Sequence, residues 1–287
     1  MVSTAAICEG FLNLSLGQRQ MLASILAFTL MNIFAKMIPH LHFLQLVLVR
    51  AAIGLVLCSF FLHQREISMW PRNKTLLWLR GIFGTLSLCC FFYALQNLPL
   101  ATTIVLQNLA PIFGLMLAGF ISQESVAPRQ WIFFLISFLG VIMVRGFDSA
   151  ANNVALAAAV ASAFFSALAH QMIRRTKKQE DPFLILFYFS VVSFFFVLPF
   201  GWSEWVSPSA TDWFYLVGIG LSTFVGQVFL TRSLQNGLVQ EVSQFGFLQV
   251  ILAAGIGTVL FEESLGLTAL LGIGVILLGV SLSAKKV

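Results

Sequence analysis

Lys36 follows Asn32 by four residues inside a long apolar run, a spacing that puts an ammonium and a carboxamide on one helical face. That face could hold a polar solute; equally, the lysine could snorkel to an interface near Pro39. Arg50 lies about eight residues into the next apolar run, too deep for easy snorkelling. It fits either a cation for a carboxylate or phosphate, or an arginine capping carbonyls at a helix break. Gln107, Asn108 and Pro111 form a third cluster. A proline removes a backbone donor and frees the carbonyl one turn earlier, at Gln107, so a kink beside two amides could serve as gate and binding surface. Interhelical hydrogen bonding is the plainer role for those amides. Near the C-terminus Gln244 shares a face with Glu241 and Leu248, and Gln249, beside it, falls near mid-run. His170 and Gln171 end a run beside the basic stretch Arg174–Lys178. A proton relay is conceivable there because the histidine pKa is ordinarily about 6.5, but an interfacial histidine is the simpler reading. Arg80, nearer the end of its run, reads as an interfacial anchor.

Missing motifs narrow the chemistry. There is no G-x-x-x-x-G-K-[ST], hence no ATP-driven engine within the chain. No Asp or Glu stands at mid-run, so a carboxylate proton relay lacks a candidate. Cys8, Cys58, Cys89 and Cys90 have no metal-ligand spacing and read as small packing residues. No His/Asp pair or metal cluster suggests an enzyme, and no cofactor or metal is expected. No charged segment followed by an apolar core and cleavage site marks a signal peptide.

These residues require a membrane to position them. Of 287 residues, 59% are hydrophobic and 9% are charged, far below the roughly one quarter charged that covers a soluble surface. The net charge of +5 is spread through short loops rather than gathered on a nucleic-acid-binding patch. About 20 apolar residues are needed per spanning helix. Ten runs qualify: 20–38, 43–62, 75–95, 101–121, 129–145, 152–172, 182–200, 213–232, 239–260 and 265–284. Spans must be helical because each then satisfies its own backbone. With the N-terminus inside, twelve Lys and Arg fall in inner segments and only Arg145 in an outer loop, which predicts both termini in the cytoplasm. The loop after the seventh run, with Glu204, Asp212 and three tryptophans nearby, suits an outer surface.

The sequence also repeats. Ala94–Arg145 has a second copy at Ser233–Ala284, and Leu95-Gln96-Asn97 matches Leu234-Gln235-Asn236, an offset of 234 − 95 = 139. The same offset carries Glu124-Ser125 onto Glu263-Ser264 and Leu139-Gly140-Val141 onto Leu278-Gly279-Val280. Each half holds five runs, an odd number, so the second half enters the membrane inverted. The expected fold is an all-α integral membrane protein of ten transmembrane helices in two inverted five-helix repeats. Its parts are a cytoplasmic N-terminal segment (1–18), a first repeat (19–146) and a second (147–287). This architecture is common among secondary transporters, with the site at the repeat interface near mid-membrane.

Ala94-Leu95, Leu98, Ala101, Leu106, Leu109, Pro111, Phe113, Glu124 and Gly140 follow a pattern that resembles the EamA-type branch of the drug/metabolite transporter superfamily. Arg50 matches an arginine common in the second span of such proteins. The second half departs from the pattern: Val250 stands where the repeat would put a proline, and Gln240-Glu241 replaces small residues. The two halves are therefore not expected to line a pathway identically. The resemblance implies solute movement between cytoplasm and exterior, without fixing the solute, and a bacterial inner membrane as the location.

The combined expectation is a transporter of a small polar metabolite working by alternating access. With Lys36 and Arg50 as the deep charges, a zwitterion or anion is favoured. An amino acid or an amino-acid-derived compound such as S-adenosylmethionine is the first candidate. An exporter of amphipathic compounds and a non-transporting scaffold are the alternatives. The expected partners are the solute and the lipid bilayer, with no nucleic acid; a homodimer is compatible with the pattern. The expected binding residues are Asn32, Lys36, Arg50, Gln107, Asn108, Pro111, Gln244 and Gln249.

Overall fold

The computed structural model describes residues 15–122, 132, 135–136, 139–140, 143, 152–176, 179–236, 246–263 and 266–284. Among these residues every regular element is helical. In chain order they are α1 (Leu16–Lys36), α2 (Phe43–Gln64), α3 (Lys74–Asn97), α4 (Leu100–Gln107), α5 (Ala110–Ser122), α6 (Asn153–Arg175), α7 (Pro182–Ser203), α8 (Ala210–Asn236), α9 (Gly246–Leu260) and α10 (Leu267–Ala284). The expected run at 129–145 lies largely outside the described residues. α2, α3, α6, α7 and α8 are long and apolar enough to cross a membrane.

Local signals set several helix starts. Ser15 and Gln18 cap α1 reciprocally: the Gln18 amide donates to Ser15 Oγ and the Ser15 amide to Gln18 Oε1. At α7 the Asp181 side chain accepts from the Phe183 amide, and Pro182 opens the helix where its missing N–H costs nothing. The expected proline break falls at Asn108–Leu109, between α4 and α5. Pro111 has no N–H for the Gln107 carbonyl, and the chain tightens there through Asn108 to Val105 and Leu109 to Leu106 hydrogen bonds.

The helices form one bundle in which α8 packs along α1, α6 along α3 and α7 along α2, with α7 also against α3 and α8 against α2. Small residues allow the backbones to approach. The Ser24 hydroxyl donates to the Gly226 carbonyl across the α1–α8 seam. Ser87 and Ser162 hydroxyls each reach the other's carbonyl across the α3–α6 seam, at 2.9 and 2.8 Å. Such contacts, rather than apolar burial alone, hold helices together where the solvent is itself lipid.

The two ends of the bundle differ in their ties. At the Met21 end the Ser233 hydroxyl donates to the Gly17 carbonyl and the Asn73 amide to Glu180 Oε1. At the Lys36 end Gln45 exchanges two hydrogen bonds with the Val206 backbone. Tryptophans mark both ends. Trp70, between α2 and α3, is exposed under the Lys74 ammonium, and Trp202 and Trp205 lie together at the end of α7.

Candidate functional site: a polar cavity along the bundle axis

A cavity of about 200 Å³ lies between α1, α3, α4, α5, α6, α7, α8 and α9, somewhat smaller than the roughly 300–1,000 Å³ of most small-molecule pockets. Its wall runs from Met21, Arg174 and Leu234 at one end to Asn32 and Ile104, each one helical turn short of the opposite end. Apolar wall comes from Phe28, Phe91 and Phe189. The polar wall comes from Asn32, Arg80, Gln107, Asn108, His170, Gln171, Thr223, Gln227 and Gln249.

Five of the expected residues meet here. Asn32 is buried, and its Oδ1 accepts no hydrogen bond. Gln107 Oε1 accepts from the Ser162 hydroxyl at 2.8 Å, while the Asn108 amide donates to the Ile104 carbonyl at 2.9 Å. Pro111 and Gln249 complete the set from α5 and α9. The α4–α5 break therefore opens onto the cavity. Gln244 lies outside the described residues.

Lys36 and Arg50 lie elsewhere. Lys36 is one turn beyond Asn32 on the same face and is not part of the cavity wall. Its Nζ donates to Glu263 Oε1 at 2.6 Å and to the Leu98 carbonyl at 2.8 Å. The second carboxylate oxygen, Oε2, accepts from the Leu100 amide at 2.7 Å, so Glu263 also caps α4. Glu262, in the left-handed region at φ 51°, turns the chain out of α9, and the Glu263 amide returns to the Gly257 carbonyl. Gly257 leaves room for the carboxylate, since a Cβ there would stand 2.6 Å from Glu263 Oε2. Arg50 lines a smaller adjoining cavity with Gly54, Ser190, Thr223 and Gln227, its guanidinium 5.1 Å from the centre of the Phe189 ring.

Arg80 corrects the interfacial-anchor reading. It is 3% exposed and belongs to the cavity wall. α3 begins at Lys74, so Arg80 is almost two turns inside the helix. Its guanidinium turns inward over Phe189, at 4.2 Å from the ring centre, and Nη2 donates to Gln227 Oε1 at 3.2 Å. Gly84, one turn on, makes this possible, because a Cβ there would collide with Arg80 Nη1. His170 likewise lines the cavity rather than an interface. Gln171 donates to the Gly114 carbonyl at 2.6 Å, joining α6 to α5. Thr223 and Gln227 escaped the sequence reading, although with Thr231 they make a polar row at i, i+4 and i+8 in α8.

Both halves of the chain, 16–146 and 153–284, match the model of the EamA-like transporter family. The chain belongs to that family. Its relatives include the pseudopaline exporter CntI of Pseudomonas aeruginosa, 29% identical over 221 residues, covering 76% of this chain and 78% of that protein. Human solute carrier family 35 member G1 is 25% identical over 256 residues, covering 83% and 70%. An S-adenosylmethionine uptake transporter of Rickettsia prowazekii is 21% identical over 210 residues, covering 73% and 71%. A solved crystal structure aligns with 92% of this chain and 95% of its own at a TM-score of 0.66 and 16% identity, a likeness of fold. This EamA chain is thus a multi-pass membrane protein of a transporter family, not an enzyme.

Proposed function

We propose that this protein is a secondary transporter that moves a small polar metabolite by alternating access, using the axial cavity as its binding site. The observation that carries the reading is a cavity walled by amides and cations from both halves, with the Lys36–Glu263 pair one helical turn beyond its Asn32 end. Asn32, Gln107, Asn108, Pro111, Gln249 and Gln244 are the proposed contacts. Lys36 is a closing latch, and Arg50 reinforces the wall behind Phe189. In the opposite state the latch opens and the Met21 end closes.

The ten-span, inverted two-repeat plan (19–146 and 147–287) is part of this proposal. An offset of 139 carries α1 onto 155–175, α2 onto 182–203 and α3 onto 213–236, which coincide with α6, α7 and α8 to within three residues. Exchanging the halves then turns the α1–α8 seam into the α6–α3 seam and leaves the α2–α7 seam in place. Ser24 donating to Gly226 has a near counterpart in Ser162 donating to Ser87, the acceptors offset by 226 − 87 = 139 and the donors by 162 − 24 = 138. Such exchange symmetry supports two interconvertible access states. The Lys/Arg bias supports cytoplasmic termini, and the state in which Lys36 and Glu263 are paired is then read as inward-facing; a bacterial inner membrane is the proposed location.

An amino acid or an amino-acid-derived compound remains the first candidate, and the uptake and export activities named for relatives leave both directions open. The aromatic wall of Phe28, Phe91 and Phe189 favours, as a second reading, an exporter of amphipathic compounds. Counterflow in proteoliposomes tests the proposal with amino acids, S-adenosylmethionine, nucleotides, sugar phosphates and lipophilic cations. One class should exchange, and Asn108→Ala and Gln249→Ala should each abolish or weaken the exchange. Transport unaffected by both substitutions would remove the cavity as the site; no transport by any compound would leave a scaffold.

A further inference from the structure

Two guanidiniums and one phenyl ring meet beside the cavity with no counter-ion among the described residues. Arg80 and Arg50 both lie over Phe189, at 4.2 and 5.1 Å from its centre, and are 3% and 6% exposed. Arg80 spends one donor on Gln227; its Nε and Nη1 donate to nothing, and neither do Nε and Nη1 of Arg50. Thr223 Oγ1, on the wall of both cavities, also lacks a partner. The ionisable residues on the described wall of the main cavity are Arg80, His170 and Arg174, with no carboxylate among them. A buried, unpaired charge is among the costliest arrangements in a protein, and more so at membrane depth. Folds that keep one usually use it, and an arginine fork matches the two oxygens of a carboxylate or phosphate.

We propose that Arg80, supported by Arg50 across Phe189 and by Thr223 and Gln227, receives the anionic group of the transported solute. This rests on the transporter reading and specifies its substrate class: a compound bearing a carboxylate or phosphate, zwitterions included. The anion takes the idle Nε and Nη1 donors of Arg80 and the Thr223 hydroxyl, while Arg50 lends charge from the adjoining pocket. Lys36 contributes nothing to this recognition, because Glu263 already neutralises it. The remainder of the solute extends along the amide wall toward Asn32.

Thermal unfolding of the detergent-purified full chain tests the assignment with matched probes: glutamate and succinate as carboxylates, glucose 6-phosphate as a phosphate, and glucose, glutamine and putrescine as neutral, zwitterionic and cationic counterparts. At least one anionic or zwitterionic probe is expected to raise Tm, and its identity distinguishes carboxylate from phosphate. Arg80→Gln should weaken that probe's binding by about tenfold to a hundredfold, the range for a lost hydrogen bond to a charged group. Arg80→Lys should recover part of it. Thr223→Val, nearly isosteric, should cost about tenfold and serves if Arg80→Gln misfolds. Lys36→Met should leave the probe's charge selectivity intact. Stabilisation only by glucose or putrescine, no stabilisation by any probe, or an anion response unchanged in both Arg80→Gln and Thr223→Val, overturns the assignment. Proteoliposomes loaded with the same probes separate the two failures. Exchange of glucose or putrescine alone removes the anion site but keeps a transporter; exchange of none removes both.

Discussion

Lys36 Nζ stands 2.6 Å from Glu263 Oε1, joining residues 227 positions apart in the chain. The bond ties the end of α1 to the turn after α9, and the same two residues hold the Leu98 carbonyl, just after α3, and the Leu100 amide at the start of α4. Both side chains are largely but not wholly buried, at 15% and 13% exposed, so the pair falls between a weak surface bridge and a costly buried one. Lys36→Met leaves the carboxylate unpaired and should loosen this end by about 1–3 kcal/mol. The measurement is thiol labelling at Ile104→Cys in a background without the native cysteines. Labelling from the Lys36 side should rise in Lys36→Met, and the swapped pair Lys36→Glu with Glu263→Lys should restore part of the closure. Unchanged labelling would mean that the pair does not hold the end shut.

Gly84→Ala should disturb the site without removing any polar group. The added Cβ would meet Arg80 Nη1 and come within 2.8 Å of Phe189 Cε2. Displacing the guanidinium from its place beside Gln227 and Phe189 should weaken transport by about tenfold or more, the worth of a charge-assisted hydrogen bond. The check is a paired measurement of Tm and exchange rate: a loss of rate larger than the loss of stability is the expected pattern.

Pro111→Ala restores the N–H that the Gln107 carbonyl lacks, allowing α4 and α5 to fuse. Pro111 stands in the first turn of α5, where a proline is tolerated, so Tm should rise only slightly. Exchange should slow, because the break faces the cavity and a continuous helix resists the bending that access changes require. Faster exchange at higher Tm would show that the break does not serve the transport cycle.

Ser162→Ala removes the hydroxyl shared by the Ser87 carbonyl and Gln107 Oε1. Interhelical hydrogen bonds in membranes average about 0.6 kcal/mol, so the Tm change should be small. A fall in exchange out of proportion to it would reveal that Ser162 positions Gln107 for the solute.

Asn32, Gln107, Asn108 and Gln249 were legible in the sequence because an amide in an apolar run stands out at any register, and Pro111 announces its own break. The family and the membrane were legible for similar reasons. Lys36 was visible but its partner was not: Glu263 follows a left-handed turn at the far end of the chain, and no periodicity links the two. Arg80 was misjudged because distance from a run's end is a poor guide to where a long side chain points. Its inward turn depends on the missing side chain at Gly84, a three-dimensional fact. Thr223 and Gln227 could have been found, since their four-residue spacing continues to Thr231, but hydroxyls and amides in a long span are easily taken for packing.

The tryptophans at the two ends also act as a ruler. α2 and α7 are each 22 residues long, about 33 Å at the helical rise, against roughly 30 Å of hydrocarbon in an average bilayer. Trp70 sits beyond one end of this length and Trp202 and Trp205 at the other, the depths such rings prefer. A thinner bilayer would have to be met by tilting these helices. Because α7 packs on both α2 and α3, tilt would shear the wall that carries Arg50, Phe189 and Arg80. Acyl-chain length would thereby act on the proposed binding cavity through helix tilt alone.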